Sequence, residues 1–143
     1  MFITRATRHD KDDIRALLAT NEWADDTDLD EGKAFIARDG KVVGCVRTIE
    51  VQPQTVVIDS VLVLEERRGD GIGAQIMKAA MNNQGGTLFL CCHENRISFY
   101  ERLGFSLLPN GFDDAPEAVQ AYWRKVDDYP TAEGHEHFFM TAR

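Results

Sequence analysis

The order of apolar and polar positions predicts a strand and then a helix at the start of the chain. Residues 2–6 form a short apolar run typical of a strand, and residues 9–20 place Ile14, Leu17 and Leu18 on one helical face. The first turn of this helix carries three aspartates, which complement the positive end of the helix dipole. Residues 22–31 are strongly acidic and predict a surface loop or short helix.

A β-meander is the clearest pattern in the chain. Strands are predicted over residues 33–38 and 41–51, on either side of Asp39-Gly40, a dipeptide that tolerates the backbone of a tight two-residue turn. Another strand is predicted over residues 55–64, after Pro53. The three strands together predict an antiparallel meander.

Helices and strands alternate in the second half of the chain. A helix is predicted over residues 71–82, where one face is apolar and carries Ile72, Ile76, Met77 and Ala80. The remaining predicted elements are strands over residues 87–92, 105–108 and 137–142, a helix over 95–103 and a weakly patterned helix over 116–126. Antiparallel strands followed by a strand-helix-strand crossover predict a mixed, mostly antiparallel sheet flanked by helices, in the α+β class.

The composition is that of a globular protein and narrows the range of partners. With 143 residues, 43% of them hydrophobic, the chain is expected to fold as one domain over residues 1–143. Its 24 acidic and 16 basic residues give a net charge of -8, so we expect neither nucleic acid nor an anionic membrane as a partner. The most apolar stretch, residues 55–64, is too short to cross a bilayer, and the N-terminal residues do not resemble a signal peptide.

The three cysteines indicate a reducing compartment, and we therefore expect a cytoplasmic protein. Cys91, Cys92 and His93, together with His135 and His137, offer metal-ligating groups. Their spacing matches no established zinc pattern, and an apolar cysteine at a strand end is commonly part of the core. We therefore expect no metal.

The glycine loop, residues 67–74, has the features of an anion site. It lies between a predicted strand and a predicted helix, so unpaired backbone N–H groups and the positive end of the helix dipole point into it. Glycines at alternate positions let a bulky phosphate approach the backbone, and Arg67 and Arg68 add positive charge. The alternative is a glycine-rich turn that serves only as a helix cap, with Asp70 as the N-cap residue.

Two nucleotide-binding patterns compete for the same loop. Gly69-x-Gly71-x-x-Ala74, with Glu94 about 20 residues further on, satisfies a loose dinucleotide fingerprint. That fingerprint belongs after the first strand of a βαβ series, whereas several antiparallel strands precede it in this chain. A P-loop is excluded, because no Gly-Lys-Ser or Gly-Lys-Thr follows.

Two motifs in this order resemble those of the GNAT superfamily of N-acetyltransferases. Arg68-Gly69-Asp70-Gly71-Ile72-Gly73 is similar to its Q/R-x-x-G-x-G/A signature, and residues 99–105, Phe-Tyr-Glu-Arg-Leu-Gly-Phe, resemble its F-Y-E-x-x-G-F segment. Val61-Leu62-Val63 resembles the strand with which the family hydrogen-bonds the pantetheine arm. The similarity covers residues 33–108 and leaves the last 35 residues unmatched.

The resemblance implies acetyl-coenzyme A as cosubstrate. The glycine loop would grip its pyrophosphate, a backbone N–H near Val63 would face the thioester carbonyl in a slot between splayed strands, and Tyr100 would give a proton to the departing thiolate. The alternative for Tyr100 is an aromatic side chain packed beside Phe99 and Phe105. The coenzyme-binding residues implied in this way are Val61, Leu62, Val63, Arg68, Gly69, Asp70, Gly71, Ile72, Gly73, Ala74, His93, Asn95 and Tyr100.

The chain departs from the family pattern at two places. Asp70 stands where the family usually has Lys, Arg or Gln, and it would weaken coenzyme binding unless it turned away from the phosphates. His93 replaces the Asn or Ala usually found seven residues before the tyrosine, while Asn95 stands five residues before it, so both remain candidates for the pantetheine contact.

Asp59 is our candidate for the general base. It precedes Val61 and Val63 by two and four residues, so strand alternation places the three side chains on one face. The alternatives are an anchor for a substrate ammonium and a solvated strand residue. Glu50, His93 and the acids of residues 22–31 are rival bases.

The acids of residues 22–31 also suggest a cationic amine as acceptor, although a solvated acidic face is the explanation that we favour for them. We expect direct attack by the amine in a ternary complex. A covalent route through Cys91 or Cys92 has only His93 as an evident base.

A non-catalytic acyl-coenzyme A sensor is the alternative function. A homodimer is a further expectation, with Trp23, Trp123, Phe138 and Phe139 as exposed aromatic contacts.

Overall fold

The computed structural model describes residues 1–23, 27–127 and 137–143. The strands in these ranges are β1 Phe2–Arg5, β2 Lys33–Asp39, β3 Lys41–Gln52, β4 Thr55–Val63, β5 Thr87–Cys92, β6 Ser106–Leu107 and β7 Phe138–Ala142. The helices are α1 Lys11–Ala19, α2 Ile72–Asn82, α3 Ile97–Arg102 and α4 Glu117–Asp127. None of these described helices is long and apolar enough to span a membrane.

The strands form a mixed sheet in the hydrogen-bonded order β1-β2-β3-β4-β5-β7-β6. Antiparallel pairs join β1 to β2, β2 to β3, β5 to β7 and β6 to β7. In contrast, β4 and β5 run parallel, with Thr55 opposite Thr87 and Val57 opposite Phe89. A parallel pair needs a crossover connection, which α2 supplies. The predicted α+β class, with a mostly antiparallel sheet and a strand-helix-strand crossover, is confirmed.

The described chain divides into two compact units, each built from two stretches of sequence. The first unit comprises Met1–Ile49 and Ile58–Gln84, and the second comprises Glu50–Val57 and Gly85–Arg143. The first unit contains the glycine loop, and the second contains the aromatic segment around Tyr100. That the 143 residues act as one domain stays a prediction.

The predicted apolar faces form the core of the first unit. Ile14, Leu17 and Leu18 of α1 are buried, and so are the four predicted residues of α2, namely Ile72, Ile76, Met77 and Ala80. The β2–β3 hairpin turns at Asp39-Gly40, with Asp39 opposite Lys41. These three predictions are confirmed. Each of them depends on residues that lie only a few positions apart in the sequence.

The start of α1 differs from its prediction because a capped 3₁₀ turn precedes it. The turn covers Arg8–Asp10, and α1 begins at Lys11 rather than at residue 9. The hydroxyl of Thr7 accepts the N–H of His9 at 3.2 Å, and the Asp10 carboxylate accepts the N–H of Thr7 at 2.8 Å. This reciprocal capping box fixes the chain before the α-helix starts.

An aromatic cluster occupies the core of the second unit. The Phe112 ring lies 6.0 Å from that of Trp123 and 5.7 Å from that of Phe139, while Trp123 and Phe139 are 4.8 Å apart between centroids. The expectation that Trp123 and Phe139 are exposed dimer contacts is therefore wrong, because both side chains are buried. Phe138 is half-buried and Trp23 is exposed.

Candidate functional site

The glycine loop presents open backbone at the start of α2. Gly69 and Gly71 have φ angles of +93° and +78°, and an added Cβ at either position would meet no heavy atom within 4 Å. Both therefore keep a left-handed backbone that only glycine adopts without strain, beside space that no described side chain fills. This is the geometry that a phosphate group needs to reach main-chain donors.

The N-terminus of α2 has no side-chain cap among the described residues. Gly71 is its N-cap residue, and the first turn contains no acidic residue. The N–H groups of Ile72, Gly73 and Ala74 have no partner within a helix that begins at this point. Together with the helix dipole they favour an anion. The alternative in which Asp70 caps the helix is wrong, because Gly71 occupies the N-cap position.

Asp70 instead pairs with Arg67. The Asp70 carboxylate accepts Nε–H of Arg67 at 3.2 Å, and Nη1 of Arg67 donates to Asp39 at 3.0 Å. Hydrogen bonds from Arg67 to Asp70 and Asp39 raise the pKa of the guanidinium. Arg67, which was predicted to supply positive charge to an anion, therefore already pairs with two carboxylates. The Asp70 carboxylate, which departs from the family pattern, has its charge balanced by Arg67 within the loop.

Arg68 links the loop to the end of β4. Its Nε–H donates to the carbonyl oxygen of Val63 at 3.1 Å, and the side chain is exposed. The strand itself continues against β3 beyond Val63, because the N–H of Leu64 donates to the carbonyl of Val43 at 2.9 Å. Arg68 is therefore one direct hydrogen-bonded connection between the glycine loop and Val63.

Asp59 lies on β4 beside a left-handed residue. Ser60 has a φ of +55°, and its N–H donates to Oδ1 of Asp59 at 2.7 Å. Oδ2 of Asp59 lies 3.8 Å from Nη1 of Arg47. The predicted alternation agrees with the exposure pattern, in which Asp59, Val61 and Val63 are half-buried between buried neighbours.

Arg47 is a feature of the site that the sequence analysis missed. Its side chain is buried on β3, and Nη2 donates to the carbonyl oxygens of Asp28 at 2.7 Å and Glu31 at 3.0 Å. One signal existed in the sequence, namely a single arginine within the otherwise apolar or small run of residues 42–49. Its partners lie 16 and 19 residues away along the chain, where no periodic pattern reveals them.

The acids of residues 22–31 are partly occupied within the first unit. Asp30 forms an ion pair with Lys11, which lowers the pKa of the Asp30 carboxyl. Oδ1 of Asp28 accepts the N–H of Asp30 at 2.9 Å. Asp25 and Asp26 lie outside the described residues. Fewer carboxylates are therefore available to a substrate than the sequence count indicates.

Tyr100, His93 and Asn95 belong to the second unit. Tyr100 is a buried residue of α3, with its ring edge-on to Phe99 at 5.0 Å and to Phe105 at 5.9 Å between centroids. His93 and Asn95 are exposed around the 3₁₀ turn Glu94–Arg96. Aromatic packing fixes the Tyr100 ring, so its hydroxyl has a defined direction.

The thiols give little support to covalent catalysis. Cys92 is buried, and burial raises the pKa of its thiol to about 11, which keeps it in the less nucleophilic protonated form. Cys91 is half-buried, and His93 lies with its ring centroid 5.2 Å from that of His137. Within the described ranges no group of three His, Cys, Asp or Glu residues is arranged to hold a metal ion, and His135 lies outside them.

Comparison with solved structures identifies the fold. A Mycobacterium tuberculosis protein in complex with CoA is 22% identical, with a TM-score of 0.68 over 99% of this chain and 98% of that one. An aminoglycoside 6'-N-acetyltransferase complexed with coenzyme A is 17% identical, with a TM-score of 0.66 over 99% and 96% of the two chains. N-acetylglutamate synthase from Neisseria gonorrhoeae, complexed with coenzyme A and N-acetyl-glutamate, is 19% identical with a TM-score of 0.74, over 100% of this chain and 35% of that chain.

Comparison at the level of sequence identifies the family. No curated protein matches the chain. The family model described as "Acetyltransferase (GNAT) domain" matches residues 30–107, which is more than half of the chain and includes both motifs. This protein therefore belongs to the GNAT family of acetyltransferases.

Proposed function

We propose that the protein transfers the acetyl group of acetyl-coenzyme A to a primary amine by direct attack within a ternary complex. The observation that carries the proposal is the glycine loop, with two left-handed glycines in open space before the uncapped start of α2. Coenzyme A is bound in two solved structures of the same fold, which supports acetyl-coenzyme A as the cosubstrate. Burial raises the pKa of Cys92 and so favours direct attack over an acyl-cysteine route.

The coenzyme contacts are proposed as main-chain contacts for the most part. The N–H groups at the start of α2 would bind the pyrophosphate, and the backbone of Val61, Leu62 and Val63 would bind the pantetheine arm and polarise the thioester carbonyl. Arg68 would add charge at the phosphates, and His93 and Asn95 would contact the pantetheine. The acetyl-bearing end of the coenzyme contributes the thioester, whose carbonyl carbon the amine attacks.

Proton transfer is assigned to Asp59 and Tyr100. Asp59 would take the proton that the amine loses, directly or through a water molecule, and its half-exposed position on β4 supports access from solvent. Tyr100 would donate its hydroxyl proton to the coenzyme thiolate, with its ring held by Phe99 and Phe105. Glu50, an exposed residue, and His93 are the rival bases.

For the acceptor we propose a cationic small molecule, drawn to the acidic surface and deprotonated at the site. The net charge of -8 supports this proposal through long-range attraction. The occupied state of Asp28 and Asp30 limits it, because those carboxylates already have partners. We further propose that the protein acts in the cytoplasm, as one domain, without nucleic acid or membrane, and that it pairs as a homodimer.

Release of free thiol from acetyl-coenzyme A, measured across a panel of amines, tests the function. We expect turnover with at least one cationic amine and a rise in melting temperature with coenzyme A alone. A melting shift without turnover on any amine would favour an acyl-coenzyme A sensor. The absence of both would overturn the proposal.

Exchange of Tyr100 for Phe separates catalysis from binding. We expect Y100F to lower kcat by about 10²-fold or more, the usual contribution of a positioned general acid, while it keeps the coenzyme-induced melting shift. Tyr122→Phe is the matched control, because Tyr122 is another buried tyrosine of the second unit. Equal kcat values for the two variants would remove Tyr100 from the mechanism.

A further inference from the structure

A single buried guanidinium connects two parts of the first unit that are distant in sequence. Nη2 of Arg47 donates to the backbone carbonyls of Asp28 and Glu31, at 2.7 and 3.0 Å. Nη1 of the same side chain donates to Oγ of Ser60 at 3.4 Å and lies 3.8 Å from Oδ2 of Asp59. One planar group thus spans from the acidic segment to the proposed base.

The segment that Arg47 holds is itself closely packed. We call residues 27–32 the acidic turn. Gly32 has a φ of +76°, and a Cβ added to it would lie 2.4 Å from the carbonyl oxygen of Thr48 on β3, so only glycine fits. The N–H of Glu31 donates to the carbonyl of Asp28 at 3.2 Å, and Lys11 pairs with Asp30. The acidic turn is therefore fixed against β3 at the point where Arg47 leaves the strand.

The other end of the connection is fixed as well. Ser60 adopts a left-handed backbone, and its N–H holds one oxygen of the Asp59 carboxylate while Arg47 faces the other. The partners of this buried cation are two carbonyl oxygens, the Ser60 hydroxyl and one half-exposed carboxylate. A buried charge needs this degree of satisfaction, and a planar guanidinium can reach several acceptors at once, which a lysine ammonium cannot do in the same geometry.

We propose that Arg47 is a positioning residue that sets the acidic turn and Asp59 at a fixed distance, and thereby fixes the side of the site that receives the acceptor amine. The inference rests on the proposed function, in which Asp59 accepts the amine proton. We assign Arg47 no contact with coenzyme or amine, since its side chain is buried and its guanidinium donates to oxygens of the protein. The acidic turn then selects among amines by shape and charge. Arg47 keeps the acidic turn at the distance from Asp59 that places the selected amine beside the base.

The test compares Arg47→Lys with Arg38→Lys. Arg38 is the matched control, a neighbouring-strand arginine that pairs with Asp10 and Asp13 and contacts neither Asp59 nor the acidic turn in the described interactions. For R47K we expect the KM for the amine to rise about tenfold or more. A change of this size corresponds to the free energy of one hydrogen bond to a charged group. The KM for acetyl-coenzyme A should stay within about twofold, because the glycine loop is unchanged. R38K should leave both constants near their wild-type values.

Hydrogen exchange supplies a readout that does not depend on activity. In R47K the amides of the described residues of the acidic turn should exchange about tenfold faster or more, while those of α2 keep their wild-type protection. Unchanged exchange in the acidic turn would overturn the inference, and so would equal changes in the two KM values. If the wild-type protein binds coenzyme but acetylates no amine, the proposed function fails, and hydrogen exchange still decides the role of Arg47.

Ser60→Gly covers the case in which R47K does not fold. Glycine keeps the left-handed backbone at this position and removes the hydroxymethyl group whose oxygen accepts from Nη1. We expect a smaller shift in the same direction, with the KM for the amine rising more than the KM for acetyl-coenzyme A. A loss that falls on both substrates equally would contradict the positioning role.

Discussion

Arg47 and Arg67 lie in the same unit, and both have aspartate partners, yet their surroundings differ. The Arg47 side chain is 4% exposed, donates to two backbone carbonyls and lies 3.8 Å from Asp59. The Arg67 side chain is 29% exposed and pairs with Asp39 and Asp70, which are themselves more than half exposed. Solvent screens the second arrangement and not the first. A buried guanidinium therefore supports the fold, whereas an exposed one adjusts the charge seen by a ligand.

The largest expected effect follows from removing the buried charge. Arg47→Met keeps a long apolar stem but leaves the carbonyls of Asp28 and Glu31 without their donor, and we expect the free energy of unfolding to fall by about 3 kcal/mol or more. Chemical denaturation measures it. Arg38→Met, which removes a half-exposed arginine from its ion pairs with Asp10 and Asp13, is the control and should cost clearly less. Similar losses in the two variants would remove the distinction between buried and exposed arginines.

A smaller effect is expected in the glycine loop, on stability and on coenzyme binding together. Gly71→Ala forces a side chain into a left-handed backbone at φ +78°, at a cost of up to about 2 kcal/mol, although space around the new Cβ is open. The strain should also weaken coenzyme binding, measured by calorimetry. Gly85→Ala is the control, because Gly85 has no positive φ and its nearest Cβ neighbour is 4.0 Å away. Coenzyme affinity that survives G71A unchanged would contradict the assigned role of the loop.

The third effect is alkaline destabilisation through Cys45, a neighbour of the Arg47 guanidinium. Burial raises the pKa of this thiol from 9.0 to about 12, and its Sγ donates to the carbonyl of Ser60 at 3.3 Å. A raised folded-state pKa gives stability that is complete below pH 9 and is lost as the pH rises towards 12, because the unfolded thiol ionises first. Between pH 8 and pH 10 we expect a loss of about 1.4 kcal/mol that Cys45→Val does not show. Parallel stability curves for the two proteins would contradict it.

The smallest effect concerns the exposed pair. Arg67→Ala should leave stability nearly unchanged but weaken coenzyme binding about threefold or more, because Asp70 then presents its charge to the phosphates. In the double variant with Asp70→Asn, affinity should return to within about twofold of wild type. If Arg67→Ala weakens binding by the same factor with and without the Asp70→Asn exchange, Arg67 contacts the phosphates itself and the comparison with Arg47 needs revision.

Local pattern predicted much of the fold, and contacts between distant residues account for what it missed. The hairpin at Asp39-Gly40 and the buried face of α2 depend on neighbours a few residues away, so both were predicted. The backbone partners of Arg47 lie 16 and 19 residues away, and Asp39 lies 28 residues from Arg67, so sequence spacing carries no information about these contacts. The burial of Trp123 likewise depends on Phe112 and Phe139, which belong to other elements.

The candidate site divides in the same way. The glycine loop was predicted from its own residues, because alternate glycines before an apolar helix allow positive φ angles and open backbone at the helix start. The cation beside Asp59 depends on a tertiary contact and required the structure, whereas Arg67 and Asp70 are only three residues apart, a spacing that the sequence analysis did not use. Roles for Tyr100, His93 and Asn95 stay predictions, since they follow from resemblance to a family and not from contacts in this chain.

A crystal structure with bound coenzyme A is the most direct measurement of where the cosubstrate binds. We predict that the pyrophosphate oxygens lie within about 3 Å of backbone N–H groups between residues 69 and 74, with Arg67 still paired to Asp70. A coenzyme bound elsewhere on the protein, with the start of α2 left in contact with solvent alone, would contradict the account.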